Sequence, residues 1–473
     1  MTNRENITTL PEEEHLYNTP SSWVWTRLGS VIQITGGSQP PKKVFINEPR
    51  ENYTRLVQIR DFKSDNFLTY IPNEYANRPF KEDDIMIGRY GPPVFQILRG
   101  LSGSYNVALM KAEPIGGVLT KDFLFHLLQA SFIQNPVIKD SQRSAGQSGV
   151  RRDLLESLPI PIPPRAEQKR IIKQLEYSYE MIAEVKQKLS KAKELIRLKH
   201  ESLLRKALRG KLVSQIESDG IVAEFLMEIE KEFNKGKKKK VKISTIEEKP
   251  YQLPKNWEWV SLGDITNFIN GDRGKNYPSK SDLVIEGIPF INAGHLVDGK
   301  VDVSNLNYVT EEKYSMLRSG KIEENDVLYC IRGTLGKTAI VDNVDKGAIA
   351  SSLVIIRPSK FLLSKFLYFY LISDIGKKMI KIHDNGSAQP NLSVNNLTKY
   401  AFPLPPINEQ KRIVEQLEKE FEIEVETLKH IEKAEIYLEK LRNSLSLKAF
   451  RGELVEQIPE EGTGLDLIKG IIE

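Results

Sequence analysis

Apolar residues recur every seven positions in two long stretches of the chain. The first runs Leu175, Ile182, Leu189, Ile196 and Leu203, with Val185 and Ala192 in a second seam. The second runs Leu417, Ile431, Leu438 and Leu445, flanked by Phe421, Leu428 and Ala434, with Glu424 interrupting the pattern. A seven-residue period sustained over four heptads predicts a coiled-coil seam. Pro163-Pro164 and Pro405-Pro406 suit helix starts, where a missing N–H costs nothing. Glu167 and Glu409 then fall in the first turn, and Gly210 and Gly452 mark the ends. Each helix has about 45 residues and a length of about 65–70 Å. Elsewhere the apolar runs are short. Leu56–Ile59, Asp84–Ile87 and Asp326–Tyr329 read as strands bounded by turn residues, and Phe123–Leu128 and Phe366–Leu371 as short buried helices. The Trp23/Trp25 and Trp257/Trp259 pairs each place two indoles on one strand face and are assigned to the core rather than to base stacking.

The two helical stretches are copies of one another. PPRAEQKRIIKQLE at 163–176 returns as PPINEQKRIVEQLE at 405–418, and KALRGKLV at 206–213 as KAFRGELV at 448–455. A shift of 242 residues relates these backs, and also Asp84-Ile85 to Asp326-Val327. Further upstream the shift is 234, pairing Trp23 with Trp257 and Leu28-Gly29 with Leu262-Gly263. Two copies are too few for a solenoid. The expected fold is α+β: two mixed α/β domains separated by a pair of long antiparallel helices, with an internal pseudo-two-fold repeat. The expected boundaries are 1–163 for the first front, 164–213 for its helix, 214–250 for the tail of the first repeat and a Lys-rich linker, 251–404 for the second front, 405–457 for its helix, and 458–473 for the C-terminal tail.

Composition narrows the function classes. With 473 residues, two to four domains are expected. No opening segment reads as a signal peptide and no apolar run approaches the roughly 20 residues of a membrane helix, so a cytoplasmic protein is expected. Cys330 is the only cysteine, which removes disulfides and cysteine metal clusters. A net charge of +5 is too small to argue for a polyanionic partner by itself. Phe233–Ser244, FNKGKKKKVKIS, reads as a solvated linker.

Catalytic motifs are missing. There is no Gly-x-x-x-x-Gly-Lys-Ser/Thr loop. The Pro-Pro pairs follow Gln39, Gly91, Ile162 and Leu404, so no Asn/Asp-Pro-Pro-aromatic motif occurs. No Pro-Asp precedes a Glu-x-Lys, and the six histidines are not spaced for a shared metal. The expectation is no catalytic residue, no metal ligand and no directly bound cofactor. Polar, Gly-rich loops remain at matching places in the two fronts. In the first they contribute Arg89, Tyr105, Asn106, Arg143, Gln147 and Arg151; in the second Arg332, Thr334, Lys337, Ser351, Ser352, Asn385, Gln389 and Asn391. Arg suits guanine edges, and Asn or Gln suits adenine.

The paired openings SSWVWTRLGSV and LPKNWEWVSLGDI, the loops DDIMIGRYG and NDVLYCIRGTLGK, the segment GSAQPNLSVNNL, and the paired EQKR helix starts with RG-terminated ends together resemble the specificity subunit of type I restriction-modification enzymes. The resemblance covers essentially the whole chain. It implies two target-recognition domains, each reading half of a bipartite double-stranded DNA site, and helices that set the gap. It implies two methyltransferase subunits bringing S-adenosylmethionine, and restriction subunits using ATP and Mg2+. Glu167, Gln168, Arg170 and Arg209, repeated as Glu409, Gln410, Arg412 and Arg451, would form two equivalent docking sites. Two other readings stay open: a stand-alone DNA-binding or scaffold protein, and a fused methyltransferase or nuclease with an unrecognised site.

Overall fold

The computed structural model describes residues 9–143, 149–233, 246, 249–383 and 391–472. The chain forms two compact units that do not follow its halves. The first is Met1–Leu189 with Glu432–Glu473, and the second is Ser190–Ile431.

In the first unit, a four-stranded antiparallel sheet has the order Ile32–Gly36, Leu109–Pro114, Ile85–Gly88, Gln96–Leu98. A second sheet orders Tyr70–Pro72, Tyr53–Val57, Gly103–Tyr105 and Pro79–Phe80, and its inner pair runs parallel, Leu56 beside Ser104 and Val57 beside Tyr105. Helix Lys121–Gln129 covers the core, capped by the Thr120 hydroxyl, which accepts from Phe123 N–H at 3.1 Å. The core runs through Ile85, Ile87, Phe123, Leu127 and Ile171, and it includes Phe450 and Ile468 from the far end of the chain.

The second unit repeats this plan with additions. Its larger sheet orders Thr266–Asn270, Leu353–Pro358, Val327–Cys330, Thr338–Ile340, Gly299–Val301 and Leu296–Val297. The parallel pair recurs as Phe290 beside Ala348 and Ile291 beside Ile349. Helix Ser364–Ile372 takes the place of Lys121–Gln129. A two-stranded ribbon closes each unit: Trp25 lies opposite Pro161, and Trp259 opposite Pro403. All four tryptophans are buried. The predicted strands are present but shifted. Asp84 and Asp326 stand just outside, their carboxylates accepting the backbone N–H of Lys81 and Glu323 in the turn that precedes each strand. Gln58 and Ile59 leave the strand to enter a short 3-10 turn.

The long helices are Arg165–Leu208 and Ile407–Arg451, and each contributes one segment to each unit. Within the first unit, Leu175 and Leu445 join the same apolar cluster, Arg442 lies over the Tyr179 ring at 4.9 Å, and Lys186 pairs with Glu439. Within the second, Lys199 pairs with Glu420 at 2.8 Å, His200 stacks on Phe421 at 4.0 Å, and Leu204 and Leu417 share a cluster. In both, partners descend along one helix as they ascend the other, so the segments are antiparallel. Leu175, Ile182, Leu417, Ile431 and Leu438 are buried as the heptads predict. Val185 is not; it is 38% exposed, so the second seam stops short there. Glu424 is buried at an apolar position and accepts from His200 Nδ1 at 2.9 Å. Both helices end on a left-handed glycine, Gly210 at φ 65° and Gly452 at φ 75°. The N–H of Lys211 and of Glu453 returns to the carbonyl five residues earlier, closing the helix end.

Candidate nucleic-acid interface

Loops that are far apart in sequence meet on the same backbone frame in both units. In the second unit, Ile331 N–H donates to Ser352 O at 2.9 Å, Leu392 N–H donates to Ile331 O at 2.9 Å, and Arg332 bridges to Asn391. In the first, Arg89 N–H donates to Ala108 O at 2.8 Å, Val150 N–H donates to Arg89 O at 3.0 Å, and Tyr90 bridges to Gly149. Position by position, Tyr90 therefore stands where Arg332 stands, and Gly149 where Asn391 stands. A further loop joins each frame. Gly37 lies so close to the parallel strand pair that a Cβ there would be 1.9 Å from Asn106 O. Gly271 is confined in the same way, less tightly: a Cβ there would be 2.8 Å from Ala350 O. Only glycine fits so near another backbone.

Arg332 and Asn391 are exposed on this frame, and Ser351 and Ser352 are half-buried beside them. Thr334 is exposed at the hairpin tip that follows. Lys337 leans back, its ammonium donating to Ala293 O at 2.9 Å. In the first unit Arg89 is exposed and lies over the Tyr90 ring at 5.1 Å. Arg151 is exposed, but its charge is taken by Asp153, with Asp140 at 3.6 Å. Gln147, Asn385 and Gln389 lie outside the described residues. Arg143 ends the helix Ser131–Arg143, and its side chain is likewise outside them.

Two expected contact residues belong to the interior instead. Tyr105 is 1% exposed on the parallel strand, its hydroxyl donating to Thr35 O at 3.2 Å, and burial raises that hydroxyl to about 12. Asn106 is buried and closes a turn by accepting Ala108 N–H at 3.1 Å. The GSYN stretch looks like a loop in sequence because its strand is three residues long and pairs with a strand some 50 positions away.

The Glu and Gln of the repeated EQKR signature are also internal, whereas its Lys is exposed and its Arg half-buried. Gln168 and Gln410 are fully buried. Each accepts a backbone N–H, from Thr120 and Leu363 respectively at 2.9 Å. Each donates to two carbonyls, Val118 and Pro163 in one case, Phe361 and Pro405 in the other. Glu167 accepts from Trp23 Nε1 at 3.0 Å and from Gln457, while Glu409 accepts from Gln215 at 2.6 Å and Asn256 at 3.0 Å. Burial raises both carboxyls above the ordinary range. Arg170 forks onto Glu461, and Arg412 onto Asp219. Arg209 and Arg451 lie over the rings of Tyr251 and Tyr17. The four Glu and Gln side chains thus offer no exposed polar atom for docking. They fasten each helix start to its own unit, which is reason enough for the motif to occur twice.

Sequence reading missed one cluster. Asp272 is buried, and its carboxylate accepts the N–H of Gly274 at 2.8 Å and of Arg318 at 2.9 Å, which hold it below the ordinary range. Arg273 and Arg318 are exposed beside it. Aligning the fronts at Gly37 and Gly271 would have pointed to this loop, since Gln39 then falls on Arg273. Among the described residues no group of His, Cys, Asp or Glu is placed to hold a metal ion, and no helix is long and apolar enough to cross a membrane.

Residues 20–194 and 254–436 match a family profile described as the type I restriction modification DNA specificity domain. The specificity subunit of the Escherichia coli type I restriction enzyme EcoBI is 26% identical, over 95% of this chain and 89% of the relative. That of the Methanocaldococcus jannaschii enzyme MjaVIII is 25% identical, over 86% of this chain and 88% of the relative. In fold, a chain from a solved type I R-M system assembly matches with a TM-score of 0.69 and 21% identity, over 92% of this chain and 100% of that one. The HsdS subunit of Thermoanaerobacter tengcongensis matches at 0.58 and 22%, over 93% and 99%. With the family domain present twice, this chain belongs to the type I restriction-modification specificity subunits.

Proposed function

We propose that each unit reads one half of a bipartite DNA sequence. Specificity subunits are the non-catalytic recognition part of their complexes, so the reading concerns binding and positioning. The observation that supports it is the shared loop frame, with Arg332 and Asn391 in one unit and Tyr90 and Gly149 in the other. A common backbone carrying different side chains is what two readers of different base sequences require, because base identity is read by side chains at groove edges while phosphate contacts only position. In this reading the long helices set the unspecified gap. Two methyltransferase subunits supply S-adenosylmethionine, and restriction subunits supply the ATP- and Mg2+-dependent steps, with the complex working on cytoplasmic DNA. The chain itself binds none of these cofactors. The buried Glu and Gln of the EQKR motifs shift the docking surface for those subunits onto exposed parts of the helices and tails.

The test is an exchange of residues 251–404 for the corresponding front of a related protein, followed by sequencing of methylated bases in cells. One half of the modified sequence should change while the other half and the gap stay. A change in both halves at once would refute the assignment of one half to each unit.

A further inference from the structure

Arg273 extends the frame around Arg332. Four segments converge there: Asn270–Gly274, Arg318–Gly320, Ile349–Ser352 and Ile331–Arg332. Gly271 packs on the carbonyls of Ile349 and Ala350, and a Cβ on Gly320 would lie 2.8 Å from the Gly271 Cα. The Ser319 hydroxyl donates to Asn270 O at 2.6 Å. The Asp272 carboxylate accepts the N–H of Gly274 within its own loop and that of Arg318, which ties the loop to the Arg318 turn. Among the described residues the guanidinium of Arg273 has one long hydrogen bond, to Asn270 Oδ1 at 3.5 Å. Partial desolvation and, after it, the charge of Arg332 both lower its pKa. Among the described residues neither forms an ion pair with an acidic side chain. Two exposed guanidiniums on converging segments, with no acidic partner among the described residues, present their donors to a ligand of anionic or acceptor character.

We propose that Arg273 is a specificity-determining residue of the second unit, reading with Arg332 the O6 and N7 acceptors of guanine, and that Asp272 positions it. The inference rests on the reading that this unit recognises DNA. The alternative for such a pair is a phosphate clamp. What favours bases is the first unit, where the corresponding positions hold Gln39 and Tyr90. A phosphate contact is indifferent to sequence and would call for a cation in both units; a base contact calls for different side chains.

The test uses the full chain assembled with its methyltransferase subunits. The probes are a duplex bearing the sequence modified in the host and a scrambled duplex of the same length. Arg273→Ala and Arg332→Ala should each weaken cognate binding by about ten- to a hundredfold, the range of one bidentate base contact. Both should leave scrambled binding unchanged and relax preference at a guanine of the second half-site. Retained preference for the first half-site shows that the variant complex is folded. Arg273→Lys should behave like Arg273→Ala, because an ammonium lacks the two-pronged fork. Asp272→Asn should reproduce the loss, and Asp272→Asn combined with Arg273→Ala should be no worse than Arg273→Ala alone. A parallel fall on both duplexes with a shallower salt dependence would overturn the proposal in favour of a phosphate contact. Unchanged cognate binding by Arg273→Ala would also overturn it. Failure of the unsubstituted complex to distinguish the two duplexes would instead sink the DNA-reading assignment beneath it.

Discussion

Phe450 offers a stringent test of the first unit, because it lies in the last turn of the second long helix yet packs in the core of the opening domain. It is fully buried, with ring centroids 5.4 Å from Phe123 and 5.9 Å from Phe132, both edge-on. Phe450→Ala removes a buried ring and leaves a cavity, a loss of about 3–5 kcal/mol for a Phe-to-Ala change. The two edge contacts account for about 0.5–1.5 kcal/mol each beyond simple area burial, which places the site toward the upper part of that range. For a unit of this size, each kcal/mol lowers the melting temperature by about 2–4 °C, so a drop of about 8–20 °C is expected. A chain of two compact units falls outside the two-state approximation, so a single melting temperature is a poor readout. Hydrogen exchange by mass spectrometry resolves the loss by peptide. Protection should fall around Lys121–Gln129 and Ile160–Ile162, whose apolar side chains share the cluster with Phe450. Phe450→Leu should recover most of it. Native-like protection in Lys121–Gln129 with Phe450→Ala would refute the claim that the end of the chain completes this core.

Two further expectations follow from the helix starts. The raised carboxyls of Glu167 and Glu409 bind protons more tightly folded than unfolded, so stability falls as pH rises from their unfolded pKa through the raised folded one. Melting across the carboxylate range should show Glu167→Gln/Glu409→Gln gaining on the parent chain as pH rises, and a constant difference would contradict the assignment. Arg170→Met should loosen the segment Glu456–Glu461, and Arg412→Met the segment Ser214–Asp219, by about 1–2 kcal/mol each, since both forks are partly solvated. Limited proteolysis should cut the corresponding segment first, and unchanged cleavage would show that the forks contribute nothing.

The long helices were legible because a seven-residue pattern and near-identical EQKR and RG motifs are local signals that survive without tertiary information. The departures have tertiary causes. Val185 has the right spacing, but its side chain stays 38% exposed. Tyr105 and Asn106 sit among Gly and Ser and read as a loop, yet the parallel pairing of Leu56–Val57 with Ser104–Tyr105 buries them. Such pairing joins strands too short to show periodicity. Repetition also cannot distinguish a surface kept for a partner from one kept for the protein itself. Glu167 and Gln168 recur because each unit must anchor a helix start. Arg273 was hidden because GSQPP and GDRGK share only the glycine that the frame demands; the residues that would do the reading are by their nature the ones that differ.

The split composition of the first unit has a consequence for synthesis. Residues 190–431 are contiguous, so the second unit can complete its core while the ribosome is still at work. The first cannot: Phe450 and Ile468 reach its core only after the whole of residues 190–431 has been made. At about 5–20 residues per second, the opening domain waits roughly 15–60 s for them. A prematurely terminated chain therefore carries a finished second unit and an unfinished first one, with apolar surface open to chaperones and proteases. The packed core of the first unit is thus itself evidence that residues 450–468 have been made.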